Sequence, residues 1–255
     1  MGNHIVNVPL SKIREIARHS LAGYWKPMIL ALLIYYFISS GVGIILDYFF
    51  TLNVPYGEAL YLDMPYGASI YTFIVGGPLE FGLTMFLLSF LRDNYKNPTL
   101  LFEGFSHFGK SFMLMLLITV KTFLWSMLLF IPGIIAMYRY SQAFYIMIDN
   151  PELTPGQCIK ESCRIMDGNK ATYFLLSLTF IGWILLATIP AAVYVFAASS
   201  GANTFGSAII SIVVGLPELI VDVYMLVAYT AFYEIATGRL VVVEKPENEQ
   251  PDIIE

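Results

Sequence analysis

The sequence predicts an all-α, polytopic membrane domain of six transmembrane helices with short amphipathic helices lying at the membrane surface between them. Three observations predict it. Charged residues make up 13% of the 255 and apolar residues 57%. An ordinary soluble domain carries about 25% charge, and half that density cannot cover a water-soluble globule of this size. Apolar runs of about 20 residues, long enough to cross a hydrocarbon core about 30 Å thick, recur along the chain. The basic residues, finally, collect in alternate connecting segments, as the positive-inside rule requires of a multi-pass protein.

Four runs meet the spanning length or come close unaided: 28–50, 68–91, 171–197 and 206–233. A fifth, 111–148, is too long for one helix and contains Ile131-Pro132-Gly133. Proline removes a backbone donor and glycine ends helices, so the run divides into 111–131 and a short 134–148. Between 171 and 217 no residue is charged, and the polar stretch 199–203 separates the fifth span from the sixth. The organisation is then a cytoplasmic amphipathic segment 1–27, a membrane domain 28–233 and an acidic tail 234–255. The tail's last part, 244–255, reads as disordered.

Twelve of the 14 basic residues fall in 1–27, 92–110, 150–170 and the tail, and none in 51–67, 132–133 or 198–205. Six crossings put all twelve on one side, so both termini are expected in the cytoplasm and the protein in the plasma membrane. The first span is 23 residues long, follows four basic residues and lacks an A-x-A site, so it reads as an anchor rather than a cleaved signal. In the outer loop, Pro-Tyr-Gly at 55–57 and 65–67 reads as turns with an aromatic belt.

An amphipathic segment precedes each odd-numbered span. The first buries Ile13, Ile16 and Ala17 and ends at Gly23. The second, from Pro98, puts Leu101, Phe105 and Phe108 on one face. The third opens with Thr154-Pro155-Gly156-Gln157, a capping box with proline at the first helical position, and aligns Ile159, Cys163 and Met166. Gly168 should then turn the chain upright into the fifth span. Each even-numbered span carries a proline toward its outer end: Pro78, Pro132 (beside Gly133) and Pro217. The chain thus resembles three copies of an interfacial helix, an outward span and a proline-marked return, and repeats are common in transporter folds.

Five ionisable residues fall within the spans: Glu80, Lys121, Arg139, Glu218 and Asp222. Each costs about 2.5–3.5 kcal/mol if it faces lipid, so they should point inward and pair. Counting along the helices puts Glu80, Lys121 and Asp222 near the midplane and Arg139 and Glu218 in the outer half. The expected pairs are Glu80 with Lys121, and Arg139 with Glu218 or Asp222. Such a set serves either as glue between helices or as a polar site beside the Gly/Pro breaks at 76–78 and 215–217.

Other chemistry finds little support. The histidines, His4, His19 and His107, lie outside the spans, and neither a zinc-protease helix motif nor a phosphate-binding loop is present. Cys158 and Cys163 match no zinc or redox spacing. The net charge of −5 argues against nucleic acid. No cofactor or metal is expected, and no enzymatic activity.

One stretch does carry a resemblance: residues 131–135 (Ile-Pro-Gly-Ile-Ile), Tyr138-Arg139-Tyr140-Ser141, Asp149-Asn150-Pro151, Ile159-Lys160-Glu161-Ser162, Met166-Asp167-Gly168-Asn169-Lys170 and Phe180-Ile181-Gly182-Trp183. In order and spacing this resembles the bacterial integral-membrane family catalogued as domain of unknown function 975. It is also distantly similar to the membrane region of some glycerophosphodiester phosphodiesterases, whose catalytic domain with its acidic metal ligands has no counterpart in these 255 residues. The resemblance implies a polytopic plasma-membrane protein and brings no activity with it. The functional expectation is a membrane protein that binds or organises a partner protein, a lipid or a membrane-active peptide, with a protein or lipid partner at the cytoplasmic interface. The alternative is a transporter or channel using the intramembrane charges.

Overall fold

The computed structural model describes residues 4–56, 60–95, 97–198 and 205–242. The polar break at 199–203 and the tail at 244–255 lie outside the described residues. Helix α1 (Leu10–Leu21) buries Ile13, Ala17 and Leu21, an i, i+4, i+8 stripe, against the last helix. Gly23 then takes a left-handed conformation, φ +80°, which a residue without Cβ adopts freely, and the chain turns into α2 (Trp25–Tyr36). A π turn, Phe37–Gly41, joins α2 to α3 (Val42–Phe49), so Trp25–Phe49 forms one apolar rod. Widening the helix loosens the carbonyls at that turn. The Ile38 carbonyl is engaged by the Tyr71 hydroxyl at 2.8 Å.

The connection from α3 onward is an antiparallel hairpin, β1 (Thr51–Tyr56) with β2 (Leu60–Pro65), in register Thr51↔Pro65 to Tyr56↔Leu60. This corrects the expectation of turns alone. A chain leaving a helix near the membrane still needs partners for its amides, and the Thr, Val, Leu and Tyr residues there suit strands.

Helix α4 (Gly67–Asp93) carries Pro78 within it and ends at Asn94, whose left-handed φ of 54° caps the helix. A 3-10 turn, Pro98–Phe102, and the single-turn α5 (Glu103–Ser106) fold back onto α4. The approach is close: a Cβ on Gly104 would lie 1.8 Å from the Pro78 carbonyl oxygen, and one on Gly82 would lie 2.0 Å from that of Leu101. Of the expected stripe, Leu101 is fully buried while Phe105 and Phe108 stay exposed.

Helix α6 (Phe108–Leu128) and α7 (Phe130–Tyr140) form a hairpin turning at Leu129, which is extended at φ −164°, ψ 150°. The break therefore precedes Pro132 instead of falling on it. Proline is tolerated in a helix's first turn, where the amide it lacks has no partner anyway. Gly133 lets α7 approach α6, for its Cβ would meet the Ser126 hydroxyl at 2.2 Å. A second break, at Ser141 and Gln142, separates α7 from α8 (Ala143–Asp149), so the expected span 134–148 is two short helices.

Helix α9 (Pro155–Ile165) has the full capping box: Thr154 and Gln157 bond reciprocally. Ile159 and Met166 are buried, and Cys163 partly so. Gly168, at φ +84°, repeats the device of Gly23 and leads into α10 (Lys170–Ala198), with α11 (Phe205–Ala236) following. Asn169 pins the N-terminal segment here: its Oδ1 accepts from the Val6 amide at 2.8 Å and its Nδ2 donates to the His4 carbonyl at 2.9 Å.

Among the described residues five helical stretches are long and apolar enough to cross a membrane: Trp25–Phe49, Gly67–Asp93, Phe108–Leu128, Lys170–Phe196 and Val214–Ala236. In α4 and α11, 67% and 61% of the most apolar window is buried, against 11% to 17% in the other three. Helices α4 and α11 are thus the centre, and Ile44, Phe49, Leu128, Phe130 and Trp183 are exposed around them as a surface that suits lipid. An aromatic core packs the basic end, with Tyr145 stacked on Tyr233 at 4.8 Å and Tyr173 edge-on to Phe232 at 4.8 Å.

If the backbone contact at Gly104 sets the position of α5, Gly104→Val destabilises the protein by about 1–3 kcal/mol. Gly109→Ala, whose new methyl group meets nothing within 4 Å, leaves the melting temperature unchanged. Thermal melts in detergent read both; a Gly104→Val protein that melts like wild type contradicts the packing described.

Candidate functional site

The three carboxylates expected inside the membrane converge on two adjacent tyrosines of α2. The Tyr35 hydroxyl donates to Glu80 Oε2 at 3.3 Å, and the Tyr36 hydroxyl donates to Asp222 Oδ2 at 2.8 Å. The two rings meet edge to face, 5.6 Å between centroids. Adjacent residues on a helix point about 100° apart, so one tyrosine reaches α4 and the next reaches α11.

On the α11 side a groove of about 380 Å³ opens between α2 and α11, lined by Leu33, Tyr36, Gly215, Leu216, Glu218, Leu219 and Asp222. Glu218 and Asp222 are one helical turn apart and share this face. Pro217 stands immediately before Glu218, inside a continuous helix. Asp222 is about 21 Å from the Ala236 end of α11 at 1.5 Å per residue. The groove offers two carboxylates and a phenol, and among the described residues no basic one lines it. Chemically it can accept hydrogen bonds or hold a positive charge. Among the described residues no three His, Cys, Asp or Glu side chains are grouped to hold a metal ion.

Neither expected ion pair forms among the described residues. α4 and α6 run antiparallel, with Gly77 against Ser111 and Phe81 stacked on His107. Glu80 is therefore level with the start of α6, while Lys121 lies roughly 20 Å further along that helix. Arg139 also lies away from Glu218 and Asp222. The break after Tyr140 ends α7 beside α9, where the Ser162 hydroxyl donates to the Arg139 carbonyl at 2.7 Å, and the Arg139 side chain lines a hollow with Lys160 and Lys170. The structure thus gathers Glu80, Glu218 and Asp222 and leaves Lys121 and Arg139 apart.

The charges that do pair lie at the ends of the helices. Arg92, at the end of α4, binds Asp149 through both terminal nitrogens, at 2.7 and 3.1 Å, and Glu234 through Nε at 3.0 Å. Arg239 and the Tyr233 hydroxyl also bond Asp149. The Asp149 and Glu234 side chains are 4% and 7% exposed. Burial alone pushes the Asp149 carboxyl up, but the hydrogen bonds from Arg92, Tyr233 and Arg239 outweigh it and hold the group below its ordinary value. In the sequence these residues register only as flanking charge and as one part of the 131–183 pattern. Their separation along the chain hides the contact.

Residues 127–239 match the family model described as "Protein of unknown function (DUF975)". The match covers α7 to α11 whole, and with them Asp149, Glu218, Asp222, Glu234 and Arg239; Tyr36, Glu80 and Arg92 precede it. No curated protein and no solved structure matches the chain.

Because the folded state depresses Asp149, its contribution is complete above the unfolded carboxyl value of about 4 and is lost as pH falls through that range toward the folded value. Wild type should therefore lose melting temperature below about pH 4. Asp149→Asn should already be destabilised at pH 7 by about 1.5–3 kcal/mol, the worth of hydrogen bonds to a charged group, and should fall less steeply in acid. Equal acid slopes for the two proteins would remove Asp149 from the network.

Proposed function

We propose that the chain is a non-enzymatic integral membrane protein of the plasma membrane that binds a membrane component carrying a cationic group in the groove between α2 and α11. The observation that carries this reading is the groove itself: Glu218, Asp222 and Tyr36 line an opening on the flank of an apolar bundle, with no cation beside them among the described residues. Uncompensated carboxylates at this position in a membrane span are costly, which makes a cationic guest favourable. An amphiphile or basic membrane-active peptide entering sideways would leave its apolar part against Leu33, Leu216 and Leu219.

The topology proposed with it has six crossings and cytoplasmic termini. The uneven distribution of basic residues supports it. So does the path of the chain: α6 leaves from Lys110, whose ammonium bonds the Pro151 carbonyl, and α7 and α8 return to Asp149 and Arg92. The His4 amide lies 3.4 Å from the Ala236 carbonyl, which supports putting both described ends on one side. A threefold repeat is supported by α1, the Pro98–Phe102 turn with α5, and α9, each preceding an apolar helix, and by the matched turns at Gly23 and Gly168.

Transport is the second reading, favoured by one observation. Tyr35 and Tyr36 link Glu80 on one side to Asp222 on the other, a pair of hydroxyls through which a proton or cation could be passed inward.

The binding reading expects a one-to-one adduct of dodecyltrimethylammonium with the full chain in native mass spectrometry. The Glu218→Gln, Asp222→Asn double variant should reduce its occupancy about tenfold, roughly 1.4 kcal/mol. An undiminished adduct, or equal binding of neutral dodecanol, overturns the reading. For the topology, single cysteines placed in a Cys158→Ala, Cys163→Ala background at Gly57 and Asp167 should be labelled from outside and inside respectively. Labelling of position 57 from the cytoplasmic face contradicts six crossings.

A further inference from the structure

A second site lies at the other end of the bundle, where α7, α9 and α10 meet. A hollow of about 610 Å³ there is lined by Arg139, Lys160, Arg164 and Lys170 together with Glu161 and Asp167. The charges do not cancel. Arg164 is paired with Glu161, Nε to Oε2 at 2.9 Å, and Lys170 with Asp167 at 3.3 Å. Arg139 and Lys160 have no ion-pair partner among the described residues, so two positive charges remain. Arg139 is held in place from behind: Ser162 bonds its carbonyl and in turn receives the Gln142 amide at 3.2 Å. The break between α7 and α8 is therefore what presents this guanidinium to the hollow.

Next to the hollow, between α7 and α10, runs an apolar groove of about 530 Å³ whose walls include Ile131, Ile135, Tyr138 and Phe174. Tyr138 and Phe174 meet edge to face at 5.6 Å, and Ile131 is 69% exposed. Lys170 lines both cavities. A cationic chamber thus continues, at a single lysine, into an apolar channel on the flank of the bundle.

We propose that these two cavities form one binding site for an anionic phospholipid of the cytoplasmic leaflet, with its phosphate between Arg139, Lys160 and Lys170 and an acyl chain along the groove between α7 and α10. Each half of the site selects one part of the ligand. A guanidinium flanked by two ammonium groups suits a phosphate diester. The two uncompensated charges favour a headgroup with net negative charge over a zwitterionic one, and basic pockets between helices on the cytoplasmic side are where such headgroups bind. A soluble phosphate would fill the hollow and leave the groove empty. The site uses the membrane placement proposed above, but none of the residues of the acidic groove.

The test is native mass spectrometry of the full chain in detergent, titrated separately with phosphatidylglycerol, phosphatidylcholine of the same acyl chains, and glycerol 3-phosphate. A one-to-one phosphatidylglycerol adduct is expected, preferred about tenfold or more over phosphatidylcholine. Lys160→Gln, at an exposed position on α9, should reduce the preference severalfold, and Arg139→Gln should reduce it further. Phe174→Ser should weaken both lipids together. Lys26→Gln, which removes the same charge at an exposed position on α2, should change nothing. Melting temperatures identify any variant that fails to fold, and Lys160→Gln keeps the test decisive if Arg139→Gln does. Equal binding of the two lipids, or wild-type preference in Lys160→Gln, overturns the proposal. So does glycerol 3-phosphate binding as tightly as phosphatidylglycerol, which would make the hollow a site for soluble phosphates.

Discussion

Arg92 is the residue on which the arrangement of the helices turns. Its guanidinium binds Asp149 and Glu234 at once, and so ties the end of α4 to the ends of α8 and α11. A planar fork with donors on two edges can do this where an ammonium cannot. The two acids are nearly buried, and a buried carboxylate without a partner is strongly destabilising, so the three helix ends have one low-energy way to meet. The chain from Arg239 to Leu240 follows, with both amides bonded to the Glu234 carbonyl. Charge is concentrated at this one end of the bundle, with Tyr145, Tyr173, Tyr233 and Phe232 packed next to it.

A bundle fixed at one end can leave polar groups elsewhere without ionic partners. Glu80, Glu218 and Asp222 take hydrogen bonds from tyrosines or face a groove, and Arg139 and Lys160 face a hollow. The acids and the uncompensated bases lie on different helices and open in different directions, so they do not neutralise one another. That separation is what the two proposals rest on: a cationic guest between α2 and α11, and an anionic headgroup between α7, α9 and α10.

The sequence makes the spans legible because hydropathy is a property of each stretch by itself. Likewise the capping box at Thr154, the stripe of Ile13 and Ala17 and the turn at Gly168 need no knowledge of neighbours, and the structure has all three. What fails depends on register between helices. The pairing of Glu80 with Lys121 takes the end of α4 and the start of α6 as level, whereas the fold-back of Pro98–Ser106 onto Pro78 and Gly82 shifts α6 along α4. Arg139 was displaced by the break at Ser141 and Gln142, which carries neither proline nor glycine and so gives no warning. The tie between Arg92, Asp149 and Glu234 spans 142 residues, and only the folded chain brings them together.

A double-mutant cycle between Arg92 and Asp149 tests the central interaction most directly. Arg92→Gln, Asp149→Asn and the double variant would be compared with wild type by equilibrium unfolding at neutral pH. The account predicts strong coupling, with the double variant less destabilised than the sum of the single changes by about 1.5 kcal/mol or more. The two charges bond each other directly, and either single change leaves the other short of its bidentate partner in a largely buried network. Additive effects within about 0.5 kcal/mol would contradict it, and the helix ends would then be held by their apolar contacts alone.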